Sequence, residues 1–129
     1  DLARAEQMAR HSLKLFQEMG DALYLPEPQL LLASLARLRG DLFTARELCA
    51  DVLRQYQQTE DEHGVANCLH VLAWLALDED PSPAGLARAE DLFREARALR
   101  GRVKRHLAPL EQTENRRLQA ALDQRRSGK

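Results

Sequence analysis

Apolar residues recur along this chain at intervals of three and four, the period of one face of an α-helix. Leu2, Ala5, Met8, Ala9, Leu13, Leu15, Phe16 and Met19, with Ser12 among them, give a broad stripe over residues 1–19. That breadth suits a helix packed on more than one side. Asp1 is placed to cap this helix, and Gly20 and Asp21 to stop it. A loop is expected from Asp21 to Pro28, because Pro26 and Pro28 do not belong in a helix interior. The second helix is predicted over Glu27–Arg39, anchored by Leu30, Leu31, Leu35 and Leu38. Gly40 ends it, and Asp41 caps a third helix running to Tyr56, with Leu42, Ala45, Leu48, Cys49, Val52 and Leu53 on its apolar side. Gln57 to Asp61 connects to a fourth helix, Glu62–Leu77, which holds Trp74.

The stretch Asp78 to Gly85 reads DEDPSPAG. Its two prolines and its glycine predict one irregular joint. A fifth helix follows over Leu86–Leu99, with Gly101 interrupting the pattern and Arg102 to His106 polar. A last helix is predicted from Pro109 to Gln124 on Leu110, Leu118, Ala121 and Leu122, and Ser127 to Lys129 are expected to fray.

One segment recurs. LFTARELCA (Leu42–Ala50) is echoed by LARAEQMAR (Leu2–Arg10) and by LARAEDLFR (Leu86–Arg94), so that Ala5, Ala45 and Ala89 are spaced by 40 and then 44 residues. A period in that range marks a helical repeat protein. Short connections make neighbouring helices antiparallel hairpins. The expected fold is all-α, a right-handed solenoid of six helices. Residues 1–20 form an orphan second helix, 22–61 one repeat, 62–100 a second repeat with the inserted turn 78–85, and 101–129 a basic capping helix and tail. The first helix has no hairpin partner. The chain opens on Asp1 and is already in helical pattern at Leu2, as expected of a segment of a larger protein.

These residues resemble the tetratricopeptide repeat. More narrowly, they resemble the variety found in large bacterial transcription activators and in regulators that join an ATPase or cyclase module to a repeat tail. The likeness is carried by Leu32–Ala33 and Leu72–Ala73 in the first helix of each repeat, by the Gly40–Asp41 turn, and by Ala45–Arg46 and Ala89–Glu90 in the second helix. Ala33, Ala45, Ala73 and Ala89 then stand where paired helices touch. The chain departs from the pattern in carrying alanine at 33 and 73, where the family prefers glycine, and in a turn at 78–85 that is four residues longer than its counterpart.

The resemblance implies a protein–protein interaction module, in a transcription-regulation or signal-transduction setting, with a groove lined by the first helix of each repeat. The matching groove positions are Glu27, Leu30, Ser34 and Arg37, then Asn67, His70, Trp74 and Leu77. Helical spacing supports the second set independently, since its members share one face. The groove positions hold one arginine, one asparagine and no lysine, which does not match the family's clamp for a terminal carboxylate. A partner segment of mixed or apolar character is expected instead.

Charge adds a second theme. Residues 1–99 carry 17 acidic and 10 basic side chains, a balance of −7, whereas residues 100–129 carry 3 and 9, a balance of +6. The basic residues are Arg100, Arg102, Lys104, Arg105, Arg116, Arg117, Arg125, Arg126 and Lys129. They serve as the solvated face of a terminal helix, with contact to nucleic acid as one alternative reading. Residues 100–129 hold a single clear helix, so base readout by a helix-turn-helix is not indicated. A homodimer is the other alternative. It forms through the unpartnered first helix or through docking of the basic helix on an acidic repeat surface. A further domain of the parent chain could also be the partner.

The remaining chemistry is sparse. His63 and His70 could share a face, but Cys68 lies off it, and the set does not make a zinc site. Cys49 and Cys68 read as core thiols in a reducing, cytoplasmic setting. No apolar run is long enough to span a bilayer. No phosphate-binding glycine loop or nucleophile elbow is present, so neither an enzyme nor a cofactor is expected.

Overall fold

The computed structural model describes residues 1–20, 25–103 and 109–128. Among these residues the fold is all-α, with six helices: α1 (Leu2–Met19), α2 (Pro26–Leu38), α3 (Leu42–Gln58), α4 (Glu62–Glu79), α5 (Pro83–Val103) and α6 (Pro109–Arg126). Each helix packs on the next in sequence, and α2 also touches α4. No described helix is long and apolar enough to cross a membrane.

The helix starts follow from their caps. The Asp1 carboxylate accepts from the backbone N–H of Ala3 at 3.0 Å, Asp41 from that of Thr44 at 3.2 Å, and Asp61 from that of Gly64 at 2.9 Å. Each satisfies a donor that the first turn cannot pair internally. The bond to Thr44 holds the Asp41 carboxyl below its ordinary pKa. Gly40, at φ 86°, turns the chain between α2 and α3 in a conformation that side chains disfavour.

The prolines act differently from the sequence expectation. Pro26 opens α2 and Pro28 lies in its first turn, both buried. A missing N–H costs nothing there, because first-turn donors have no partner within the helix. Residues 21–24 of the expected loop lie outside the described residues, as do 104–106 of the polar stretch. The joint at 78–85 is also shorter than expected. Helix α4 continues through Glu79, and α5 begins at Pro83. The connection 80–82 is therefore as long as 39–41 between α2 and α3. The extra residues lengthen the helices instead of looping out.

Arginines hold that extension in place. Arg37 of α2 bonds Asp78 at 2.6 Å, and Arg46 of α3 bonds Glu79 at 2.6 Å. These cations offset two carboxylates at a helix C-terminus, where the dipole disfavours negative charge. Gly85 lets the first turn of α5 fold over the end of α4, since a Cβ there would meet the Asp80 carbonyl oxygen at 1.9 Å. Gly101 does not interrupt α5, which runs on to Val103. α3 and α6 likewise continue two residues past their expected ends, to Gln58 and Arg126.

Helix α4 is the centre of the core. It places Ala73, Ala76 and Leu77 against Ala89 and Phe93 of α5 and Leu118 and Leu122 of α6. It places Cys68 with Ala33, Cys49, Val52 and Tyr56, Ala66 and Leu69 with Ala96 and Leu99, and Leu75 with Ala36 and Ala45. A helix apolar on nearly every side belongs in the interior. The four recurrent alanines, Ala33, Ala45, Ala73 and Ala89, are fully buried. Helix α1 differs, with Ala9 alone of its residues buried.

Candidate binding groove

A groove of about 1060 Å³ runs along one side of the stack. Helix α2 lines it with Glu27, Leu30, Leu31, Ser34, Arg37 and Leu38, and α4 with His63, Gly64, Asn67, His70, Val71 and Trp74. Tyr56, Asp61 and Arg100 contribute to its floor and rim, and α6 adds Glu114 and Arg117. Seven of the eight groove positions read from sequence line it, from Glu27 to Trp74.

Leu77 does not. It is buried with Phe93, Leu118 and Leu122. One turn beyond Trp74 the face of α4 rotates toward the interior, and α6 covers it. Residue spacing on α4 cannot register that crossing.

Trp74 is half-buried, and it joins groove to core. Its edge packs against the cluster of Ala73, Ala76 and Phe93. The Arg37 guanidinium lies over its ring, 4.4 Å from the centroid. Asp78 holds the same Arg37, whose Nε donates to Oδ2 at 2.6 Å. A cation held over an indole face at this range is attracted by the ring quadrupole. The three side chains thus form one stacked unit at one end of the groove.

A polar node adjoins this unit. Arg100 is 9% exposed and reaches in from the last turns of α5. Its Nη2 donates to Asn67 Oδ1 at 2.8 Å, and its Nη1 to Asn115 Oδ1 at 3.0 Å. Nη1 also stands 3.4 Å from His70 Nδ1. A guanidinium can only donate, so His70 Nδ1 accepts and the ring proton lies on Nε2. That Nε2 is buried without a hydrogen-bond partner. It lies 4.0 Å from Glu114 Oε2, beyond hydrogen-bond reach. The ring meets Phe93 edge-on at 5.6 Å between centroids. Burial, then the charges of Arg100 and Arg37, lower the His70 pKa to about 4, so the imidazole is neutral near pH 7.

Residue spacing does not point to Arg100, Glu114 or Arg117 as groove residues, nor to Asn115 as the brace behind Arg100. Arg100 heads a basic run whose composition reads as solvated charge. The last helix carries no signal of which face it turns to α4. Two of the basic residues meet acids of the preceding helices: Arg102 lies 3.9 Å from Glu62, and Arg126 lies 2.9 Å from Glu90. Arg117 pairs with Glu114 at 3.3 Å. Arg116 and Arg125 are exposed. Lys104, Arg105 and Lys129 lie outside the described residues.

Cys49 and Cys68 are free and buried. Cys49 Sγ donates to the Cys68 carbonyl at 3.5 Å. The neighbouring Cys49 side chain and burial hold the Cys68 thiol far above the ordinary thiol range, so it stays protonated. Among the described residues no group of histidine, cysteine and acid side chains is arranged to hold a metal. No family model matches the chain, and neither does any curated protein or solved structure.

Proposed function

We propose that this chain is a protein-interaction module that receives a partner segment in the groove between α2, α4 and α6. The observation that carries the reading is the composition of that groove. Its apolar lining comes from Leu30, Leu31 and Leu38 of α2 and from Val71 and Trp74 of α4. Beside it lies a fixed polar node of Asn67, His70 and Arg100, which Asn115 braces from α6. Concave sites that bind specifically combine apolar area with a few placed polar groups. An aromatic anchor such as Trp74 is a common centre of binding energy.

The architecture belongs to the same proposal. Helices α2 and α3, and then α4 and α5, form two hairpin repeats of tetratricopeptide type, with α1 as an unpaired second helix and α6 as the cap. Supporting it are the recurrent alanine segment, the sequential packing and the equal connections 39–41 and 80–82. In this reading the chain acts by shape and surface contact and performs no chemistry, as part of a regulatory protein.

Selection of a random peptide library on the immobilised chain tests the assignment. Enriched peptides should carry apolar residues, and their affinity should fall about tenfold or more with Trp74→Ala. Peptides insensitive to Trp74→Ala, Leu30→Glu and Val71→Glu alike would remove the groove from the account.

A further inference from the structure

Helix α1 contributes no described residue to the groove, yet it exposes a second apolar surface. Leu2 is 40% exposed, Met8 64%, Leu15 44% and Met19 70%. The face toward α2 is different, carrying buried Ala9 and half-buried Leu13 and Phe16, with half-buried Ala5 and Ser12 on its border. Ala5, Met8, Ser12, Leu15 and Met19 follow intervals of three and four and form a stripe beside that contact. Arg4, His11 and Glu18, each seven residues apart, run along the outer flank of the stripe. Arg4 and Glu18 are exposed. The ion pairs of this helix lie elsewhere, with Glu6 bonded by Arg10 and Arg39.

The stripe is complementary to its own reverse. In an antiparallel pairing about a two-fold axis near its middle, Leu15 of one copy falls over Ala5 of the second, and Met8 over Ser12. Large side chains then meet small ones in every central layer, as close packing requires. The same register sets Arg4 beside Glu18 of the second copy, twice by symmetry. A parallel pairing sets Ala5 and Ser12 against their own counterparts and leaves those layers unfilled.

We infer that α1 is a self-association surface, and that its occupant is α1 of a second copy in this antiparallel register. Helix α1 supplies no described residue of the groove, so this inference stands apart from the proposed function. The helix is about 27 Å long at 1.5 Å per residue. A single helix pair buries less than the roughly 1,600 Å² of a standard interface, so association depends on concentration.

Sedimentation of the full chain over a wide concentration range, at low and high salt, reads the outcome. A monomer–dimer equilibrium is expected. Arg4→Glu should weaken it about tenfold, or roughly 1.4 kcal/mol. Arg4→Glu combined with Glu18→Arg should restore it, because each charge then meets its opposite again. Leu15→Glu and Met8→Glu should give monomers of unchanged helix content, since both side chains are exposed in the single chain. A wild-type chain that is monomeric at every concentration overturns the inference. A double charge swap no tighter than the single one, or a dimer indifferent to Leu15→Glu and Met8→Glu, also overturns it.

Discussion

Arg100 Nη2, near the end of α5, donates to Asn67 Oδ1 on α4 at 2.8 Å, joining residues 33 apart in sequence. The bond fixes the amide that the groove presents, and it fastens the end of α5 to the central helix. Asn115 completes the fork from α6. Three helices therefore meet in one guanidinium.

Removing an acceptor from this node should cost stability. Hydrogen bonds to a charged group contribute about 1.5–3 kcal/mol, and a buried donor left without its partner carries a desolvation penalty. Asn67→Ala should lower unfolding stability by about 2 kcal/mol in urea. Asn67→Asp should recover the loss, because a carboxylate accepts from Arg100 at least as well. If Asn67→Ala unfolds at the wild-type midpoint, the node has no structural weight.

His70 should make stability depend on pH. Its folded pKa of about 4 lies below the ordinary 6.5, so the unfolded chain binds the proton more readily. Stability from the neutral ring is complete above pH 6.5 and is lost as pH falls toward 4, by on the order of 3 kcal/mol. Below that window no further loss comes from this group. Urea unfolding at pH 4.5 and 7 should show the difference, and His70→Gln should flatten it. A His70→Gln chain with the wild-type slope would assign the dependence to carboxylates.

Gly64 and Tyr56 set how closely α3 and α4 approach. A Cβ at 64 would stand 2.3 Å from Tyr56 Cδ1, and the Tyr56 ring is only 6% exposed. Alanine gains about 1 kcal/mol of helix propensity over glycine. Overpacking a fixed ring costs about 1–3 kcal/mol, and the buried ring has little room to give. Gly64→Ala should therefore be destabilising in thermal unfolding. In a Tyr56→Leu background the same substitution should become neutral or stabilising.

Arg37 should control the environment of Trp74. Removing its guanidinium from the ring face should shift the emission of this single tryptophan. The stability change should be small, about 1 kcal/mol, because the Arg37–Asp78 pair is partly exposed. An unchanged spectrum in Arg37→Ala would place the cation away from the indole in solution.

The helices were legible in the sequence because their apolar residues keep one period, and α1 and α3 also open on aspartate caps, Asp1 and Asp41. The α4 side of the groove was legible for the same reason, since 67, 70 and 74 share a helical face. The turn at 78–85 misled because proline reads as a breaker, whereas Pro83 sits where a helix start accepts it. Leu77 misled because the stripe continues past the point where α6 covers it. Arg100 was hidden by its neighbours: only the uninterrupted length of α5 carries it back to Asn67. Tertiary crossings of this kind leave no periodic trace.

The central claim is that the face between α2, α4 and α6 receives the partner. Amide chemical-shift mapping of the isotope-labelled chain, titrated with a library-selected peptide, tests it most directly. The account predicts that the largest shifts fall at Leu30, Ser34, Arg37, Asn67, His70 and the Trp74 indole N–H. Shifts concentrated instead on the exposed faces of α3 and α5, around Arg54 and Arg94, would contradict it.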